Sequence, residues 1–499
     1  MRTLRAHAAL VAICTAYLMV VLIISSCRPP TSDDGWFASP AYNFAHHGHF
    51  GTTTIDPQGY LLRPELTHIN QRTFWVLPLE LAAQVPWYAV FGFGLLQMRL
   101  LTALFGLLGI ISIYIWTDRI TGSRLAANIA ALLMAQDITF LWRSADGRMD
   151  VMCLGLGMAG QAAYLLYRER SLSKAIVVGN TFVCLAGLTH PNGIILFLTL
   201  VVTMVVLDGR RLRLSHIVPF AIPFLIGAAA LTVWAMTDLE GFRGQIVGNR
   251  AGDRMNLILH PLNAIGDEIT RYKYVYVGSQ YDPGKFAPFK SVLLIALFGG
   301  YLGQLFVNRL KDRTAVLLAI CGAIPVLVLT FFNAKNFYYL IYVVPFLAAN
   351  AGVLFAHWWH GGTGMRSVAV AALAVVLLVS VAVTARRTIT ARKNYQEYKR
   401  LSAQIVNMLP AGETIIGPAE YAFGIGFDRV VQDDNLGYYS RRCPPLILDV
   451  GLAPDEVENL RRDAPAVLEH RNQMLTVHYK VLGGGLYQRL SCPAGARAD

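Results

Sequence analysis

Charged residues are scarce in this chain. Asp, Glu, Lys and Arg together make up 15% of its 499 residues, whereas hydrophobic residues make up 55%. A chain with so little charge and a mean hydropathy of +0.45 does not keep most of its surface in water. The composition therefore excludes a row of ordinary soluble domains and indicates an integral membrane protein.

Several other features are missing. The seven cysteines include no C-x-x-C pair, so neither a zinc ribbon nor a thioredoxin-like motif is present. The sequence has no internal repeat and no low-complexity tract, which removes solenoids and weakens the inverted-repeat signature of many transporters. The net charge of +12 lies in short clusters between apolar runs, so we attribute it to membrane topology and expect no nucleic-acid partner.

Apolar stretches near 20 residues predict an α-helical polytopic membrane protein with about 11 transmembrane helices. The first follows a basic N-terminus as in a signal peptide, but because more spans follow we expect an uncleaved helix. Segment 74–94 contains Pro78 and Pro86 and predicts a juxtamembrane pair of short helices. The expected spans lie at about 8–26, 95–117, 123–141, 150–167, 174–189, 192–207, 215–236, 288–307, 314–333, 337–357 and 366–385.

The basic residues predict the orientation of these spans. If the N-terminus is cytoplasmic and the spans alternate, every dense basic loop falls on the cytoplasmic side. These loops contain Arg119 and Arg124, residues 168–174, residues 210–213 and residues 309–313. The polar segments then converge on the opposite, extracytoplasmic face. They are the first external loop 27–73, residues 142–150, residues 190–192, the long external loop 237–287 and residues 333–336.

From about residue 386 the pattern changes to that of a soluble domain. An amphipathic helix is expected at NYQEYKRLSAQIVNMLP and a second helix at APDEVENLRRDA, with short strands at ETIIG, PLILDVG and LTVHYKV. We therefore predict a membrane domain, 1–385, and a small extracytoplasmic α/β domain, 386–499. Cys443 and Cys492 are able to form a disulfide if that domain lies outside the cytoplasm.

Four sequence pieces resemble one family. The stretch Asp33-Asp34-x-x-Phe37-Ala38-x-x-Ala41, closed by Gly48, resembles the first-loop motif of GT-C glycosyltransferases. These polytopic enzymes use lipid-phosphate-linked sugars and include the protein O-mannosyltransferases and the aminoarabinose transferases. Three further pieces are similar in the expected order: Arg99-Leu100-Leu101 through Tyr114, Arg148-Met149-Asp150, and Lys335-x-x-Tyr338-Tyr339-Leu340 with Pro345. The likeness covers about residues 8–385 and implies a GT-C-like catalytic domain.

The resemblance implies roles for the acidic residues. Attack by an acceptor hydroxyl on a sugar is helped by a carboxylate that removes the proton, and the resemblance assigns this base to Asp33. Asp34 either takes part in catalysis or caps or solvates the loop. Asp150 either joins the site or caps its helix. Since family members invert the sugar, a single displacement is implied.

A departing lipid phosphate needs positive charge, so cations are expected opposite the base. The resemblance makes Lys335 the first candidate for the donor phosphate, with Arg63 and Tyr338 beside it. Lys335 is alternatively a helix-end lysine that only reaches toward the interface. Further residues expected to line the site are Arg148, Glu65, His68 and His190.

The sequence does not decide whether the protein needs a metal ion. The family's acid before the basic residue of the Tyr60-Leu61-Leu62-Arg63-Pro64 stretch is replaced by Leu62, while Glu65 and His68 lie nearby as substitutes. His46, His47 and His49 lie close together but lack a further ligand at convincing spacing. No cofactor is certain, and a divalent metal remains an alternative.

Three functions compete at this point. The leading hypothesis is an inverting glycosyltransferase in a bacterial inner membrane that moves a sugar from a polyprenyl-phosphate donor to a lipid, polysaccharide or protein acceptor on the extracytoplasmic face. The alternative is a lipid-linked sugar flippase or transporter without bond chemistry, for which charge pairs near the middle of the bilayer would be expected. A third is a membrane-anchored receptor whose external domain binds wall components.

Overall fold

The structure, a computed structural model, describes residues 7–58, 64–248, 260–278, 287–331 and 335–497. Most of this polypeptide is helical, as its apolar runs predict. The helices that precede the C-terminal domain or lead into it are α1 (Ala8–Cys27), α2 (Ser32–His47), α3 (Pro78–Phe91), α4 (Leu95–Thr121), α5 (Arg124–Gln136), α6 (Ile138–Ser144), α7 (Met149–Tyr167), α8 (Leu172–Gly187), α9 (Gly193–Asp208), α10 (Ile217–Met236), α11 (Leu239–Gly248), α12 (Pro261–Tyr276), α13 (Ser291–Asn308), α14 (Arg313–Phe331), α15 (Val344–His360) and α16 (Thr363–Met408).

Eight helical segments within the described ranges are long and apolar enough to cross a membrane. Helices α5 and α6, bent by 64° at their junction, make a ninth if the pair is taken as one span. The shorter apolar helices α8 and α9 occupy the predicted spans 174–189 and 192–207. Each of the eleven predicted spans thus corresponds to an apolar helix or bent helix pair.

Helix α7 lies in the interior of the helical assembly, with 89% of its apolar segment buried. Its small residues allow neighbouring backbones to come close: a Cβ at Gly155 would lie 2.2 Å from the carbonyl oxygen of Phe105 on α4. Because α4 and α7 pack closely, their N-terminal ends, which carry Arg99 and Asp150, are held near one another.

Two segments differ from the sequence-based expectation. Residues 32–47, expected within a loop, form helix α2, which begins with a capping box at Thr31 and accommodates Pro40. The expected pair of short helices in 74–94 is one helix, α3, because Pro78 occupies its start, where a missing N–H is tolerated, and Pro86 lies within the helix without ending it.

Helix α16 joins two elements that the sequence pattern separates. The predicted span 366–385 and the amphipathic helix after it form one helix of 46 residues. The predicted boundary between residues 385 and 386 therefore lies inside a continuous helix, which extends beyond its apolar part to carry the C-terminal domain.

The elements of the C-terminal domain are β1 (Ile415–Ile416), α17 (Ala422–Ile425), β2 (Val430–Val431), β3 (Leu446–Leu448), α18 (Pro454–Asp463), α19 (Pro465–Gln473), β4 (Tyr479–Gly483) and β5 (Leu486–Arg489). The strands form a five-stranded sheet in the order β2-β1-β3-β5-β4. Strand β1 pairs in parallel with β2 and β3, whereas β5 pairs antiparallel with β3 and β4. The expected small α/β fold is confirmed, although LTVHYKV becomes a strand only from Tyr479.

The disulfide that the sequence left open is present. Cys443 and Cys492 are bonded across 49 residues of sequence. Cys443 is fully buried, and the bond ties the end of the chain to the segment that precedes β3.

The C-terminal domain docks on helix α2 and the loop that follows it. Trp36 Nε1 donates to Gln432 Oε1 at 3.2 Å, and the backbone of Gln432 pairs with the 54–56 segment. Arg442 Nε donates to Asp56 Oδ2 at 2.6 Å. The domain is therefore placed directly against the helix that carries the paired aspartates.

Candidate active site

The two adjacent aspartates at the start of α2 have different environments. Asp34 is fully buried and accepts three hydrogen bonds, from the backbone N–H of Thr31 at 2.9 Å, Arg99 Nη2 at 3.1 Å and the backbone N–H of Gly147 at 3.0 Å. Asp33 retains 22% of its side-chain exposure and pairs with Arg148. Of the two, only Asp33 has an accessible side chain.

The pKa values of the pair move in opposite directions. Burial raises the pKa of Asp33, the Arg148 charge opposes this rise, and neighbouring carboxylates add to it. Burial alone would also raise the pKa of Asp34, but Arg99, Arg28 and two backbone N–H groups hold it below its usual range. Asp33 is therefore the stronger base, and Asp34 stays ionised as part of the scaffold.

Asp34 caps helix α2, which is one of the alternatives that the sequence left open. Its carboxylate belongs to the capping box with Thr31, as a helix-capping role requires. It does not solvate a loop, because none of its surface is exposed. Its oxygens accept hydrogen bonds from donors in three parts of the chain.

Asp150 does not cap its helix. It is the second residue of α7 and makes no capping bond. Instead it accepts from Arg148 Nε at 2.8 Å, and His190 Nε2 lies 3.5 Å from its other oxygen. Because the N–H of Asn192 donates to His190 Nδ1, the ring proton of a neutral His190 lies on Nε2, facing Asp150. Asp150, fully buried, thus orients Arg148 and does not reach solvent.

Arg148 connects the carboxylates to the late membrane segment. Its guanidinium lies 4.3 Å from the ring centre of Tyr338, and Arg143 lies 4.1 Å from the same ring. Arg143 also pairs with Asp146 at 2.5 Å, and Arg28 pairs with Asp146 as well. The first loop, the 142–150 segment and the segment after α14 therefore meet, as their predicted common side requires.

The charges at this centre are balanced in number. Four carboxylates belong to Asp33, Asp34, Asp146 and Asp150, and four guanidinium groups belong to Arg28, Arg99, Arg143 and Arg148. Among the carboxylates, Asp33 alone has more than 1% of its side chain exposed. An ion network of this kind fixes geometry, because breaking any single buried pair leaves an uncompensated charge.

Lys335 lies three residues before Tyr338 but has its own partners. Its Nζ donates to Glu268 Oε2 at 3.0 Å and to the carbonyl oxygens of Leu329 and Thr330 at 3.1 and 2.7 Å. Glu268, on α12, also pairs with Arg271. Burial lowers the pKa of Lys335, and Glu268 opposes this. Lys335 and Arg271 share the carboxylate of Glu268, and the charge of Asp267 also acts on Lys335.

The remaining predicted residues lie elsewhere. His68 Nδ1 lies 2.9 Å from Asp238 Oδ2 and therefore pairs away from the Asp33 centre. Glu65 lies in a short 3-10 helix that packs against α11. Arg63 is outside the described residues.

In the part of the chain that the structure describes, no group of three His, Cys, Asp or Glu residues lies close enough together to hold a metal ion. The three clustered histidines have protein partners instead: His47 pairs with Asp428, His46 with the carbonyl of Tyr42, and His49 with the N–H of Gly51.

Sequence reasoning missed several charged residues around the centre. Arg28 and Arg143 lie beside recognised segments, but nothing in the sequence shows that both pair with Asp146. Glu268 and Arg271 lie in the predicted long external loop 237–287. Their spacing of three residues on an amphipathic helix was the available signal.

Residues 40–240 match the family model described as dolichyl-phosphate-mannose-protein mannosyltransferase. No curated protein sequence matches the chain.

Solved structures match over nearly the whole chain. ArnT from Cupriavidus metallidurans, bound to undecaprenyl phosphate, matches with a TM-score of 0.60 and 17% identity, covering 92% of this chain and 95% of ArnT. The oligosaccharyltransferase of Archaeoglobus fulgidus in its apo form matches with a TM-score of 0.52 and 15% identity, covering 93% of this chain and 69% of that one. The AglB oligosaccharyltransferase of the same organism, in complex with an inhibitory peptide and a dolichol-phosphate, matches with a TM-score of 0.50 and 12% identity, covering 95% of this chain and 69% of AglB.

These findings confirm the predicted multi-pass fold and the predicted class of membrane glycosyltransferase. The chain has the fold of the GT-C glycosyltransferases, and its residues 40–240 are similar to the dolichyl-phosphate-mannose-protein mannosyltransferase family.

Proposed function

We propose that this protein transfers a sugar from a polyprenyl-phosphate donor to an acceptor hydroxyl in one inverting displacement, with Asp33 as the general base. The observation that carries the proposal is the contrast within the aspartate pair. Asp33 is partly exposed and basic, whereas Asp34 is buried and fully hydrogen-bonded. The solved relative bound to undecaprenyl phosphate supports the donor class.

In this reaction the acceptor oxygen forms a bond to the anomeric carbon while the bond from that carbon to the phosphate oxygen breaks. The acceptor proton moves to Asp33, and the polyprenyl phosphate leaves with the bonding electrons. Asp150 and Arg148 hold Asp33 in place, and His190 faces Asp150 from the other side. Positive charge from Lys335 and Arg271 stabilises the departing phosphate, with Tyr338 beside it.

The reaction is proposed for the extracytoplasmic face of a bacterial inner membrane, with residues 1–385 as the catalytic membrane domain and 386–499 as an external domain. The positions of the basic loops and the disulfide between Cys443 and Cys492 support this orientation. The acceptor is a lipid, a polysaccharide or a protein.

The proposal is tested with purified protein in proteoliposomes and a panel of radiolabelled polyprenyl-phosphate sugars. A transferase releases free polyprenyl phosphate and gives a product of inverted anomeric configuration, both of which are measurable. Movement of intact donor across the bilayer without any cleavage would instead identify a flippase and remove the proposal.

A further inference from the structure

Helix α2 presents two neighbouring residues to two different parts of the protein. Asp33 pairs with Arg148 of the membrane domain. Ser32, immediately before it, donates its hydroxyl to Glu420 Oε2 at 2.6 Å. Glu420 belongs to the C-terminal domain, 388 residues further along the chain, and lies in a short 3-10 helix, Ala419–Tyr421.

The contact is part of a close fit. A Cβ at Gly35 would lie 2.3 Å from the carbonyl oxygen of Ala419, so only a glycine lets this part of the domain approach α2. On the other side, Tyr398 of α16 donates its hydroxyl to the backbone carbonyl of Glu420 at 3.1 Å. Glu420 is thus held between α2 and the extension of α16.

We propose that Glu420 is a positioning residue of the reaction centre, through which the docked C-terminal domain fixes the first turn of α2 and strengthens Asp33 as a base. The inference rests on the proposed function. The inference gives the C-terminal domain a part in the chemistry, whereas the sequence alone did not indicate what this domain does.

Electrostatics agrees with the contact. Burial raises the pKa of Glu420, the Ser32 hydroxyl opposes the rise, and the charges of Asp34 and Asp33 add to it. A negative charge beside Asp33 disfavours its ionised form and so increases its affinity for the acceptor proton. The charged groups that act on Asp33 are Arg148, Asp34, Asp146 and Asp150. The groups that act on Glu420 are Ser32, Asp33 and Asp34, and Tyr398 and Tyr421 pack beside it.

The test is the pH dependence of kcat/KM for sugar transfer by the full-length protein in proteoliposomes. Glu420→Gln removes the charge but keeps a side chain that accepts a hydrogen bond. We expect the acid limb of the profile to move to lower pH by on the order of 0.5 to 1 unit. We also expect kcat to fall by about three- to tenfold at the plateau, with an unchanged donor KM.

Two further variants separate this role from simple domain attachment. Asp428→Asn is the matched control, because Asp428 contacts the far end of α2 through Tyr42 and His47, so its profile should follow that of the wild type. Gly35→Ala forces Ala419 away without altering Glu420 and should shift the acid limb in the same direction as Glu420→Gln.

The inference is overturned if Glu420→Gln keeps the wild-type profile and rate, or if Asp428→Asn shifts the profile equally. If Glu420→Gln does not fold, Gly35→Ala decides by the same criterion. Failure of the underlying function looks different: the wild type would transfer no sugar, or Asp33→Asn would transfer it normally.

Discussion

Replacing Asp34 with Asn should unfold the reaction centre, although the change is small in size. The carboxylate is fully buried and receives two backbone N–H groups and one guanidinium nitrogen, at 2.9 to 3.1 Å. An amide accepts at only one of its two terminal atoms, so its NH2 group would face a donor. The fully buried Arg99 would also lose its one carboxylate partner and keep only the carbonyl oxygens of Ser25, Arg28 and Pro29.

We expect this variant to lose roughly 3–5 kcal/mol of stability, the usual cost of leaving a buried charge without its partner. The assay is unfolding of the purified protein in mixed micelles, followed by tryptophan fluorescence. Asp33→Asn is the matched control: Asp33 is partly exposed, and Arg148 would still hold Asp150, so its stability should change by about 1 kcal/mol or less. Equal stability of Asp34→Asn and wild type would refute the scaffold role of Asp34.

Three other predictions concern stability and donor binding. Burial raises the pKa of Glu80 from 4.5 to about 8, so the folded protein holds a proton that the unfolded chain releases in this range, and the free energy of unfolding should fall by roughly 5 kcal/mol as the pH rises across it. The dependence of this free energy on pH should be flatter in Glu80→Gln but not in the exposed control Glu397→Gln. Asp208 binds Tyr164, Arg168 and Arg211 at the ends of the helices that lie away from the Asp33 centre. Asp208→Asn should therefore lower the free energy of unfolding by about 2–4 kcal/mol while the folded enzyme keeps its kcat, and thermal unfolding and steady-state rates measure the two effects. Lys335→Ala should reduce kcat/KM for the donor by about ten- to a hundredfold, and a normal value in donor titrations would remove the phosphate role.

The membrane architecture was predictable because it depends on local patterns. Apolar runs near 20 residues predict the spans, and the basic loops between them predict the sides. The spans are found in the structure as apolar helices, even where helix α5 ends in a bend at Asp137, whose carboxylate caps α6 through the N–H groups of Thr139 and Phe140.

The ion pairs and hydrogen bonds within the site were harder to predict from the sequence. The motif around Asp33 and Asp34 does not show which carboxylate is buried, because that depends on Arg99 and on Gly147, 113 residues away. The contact between Ser32 and Glu420 spans most of the chain, and no periodic pattern carries such information. Helix α2 itself was missed because its polar residues and Pro40 favour a loop, whereas packing against the C-terminal domain stabilises the helix.

The central claim is that Asp33 removes the acceptor proton, and the most direct measurement compares turnover by wild type and Asp33→Asn with one polyprenyl-phosphate sugar that the wild type cleaves. The two proteins should bind donor equally and unfold alike, while release of free polyprenyl phosphate falls by about 10²- to 10⁴-fold in the variant. Release at the wild-type rate by a folded Asp33→Asn protein would contradict the account.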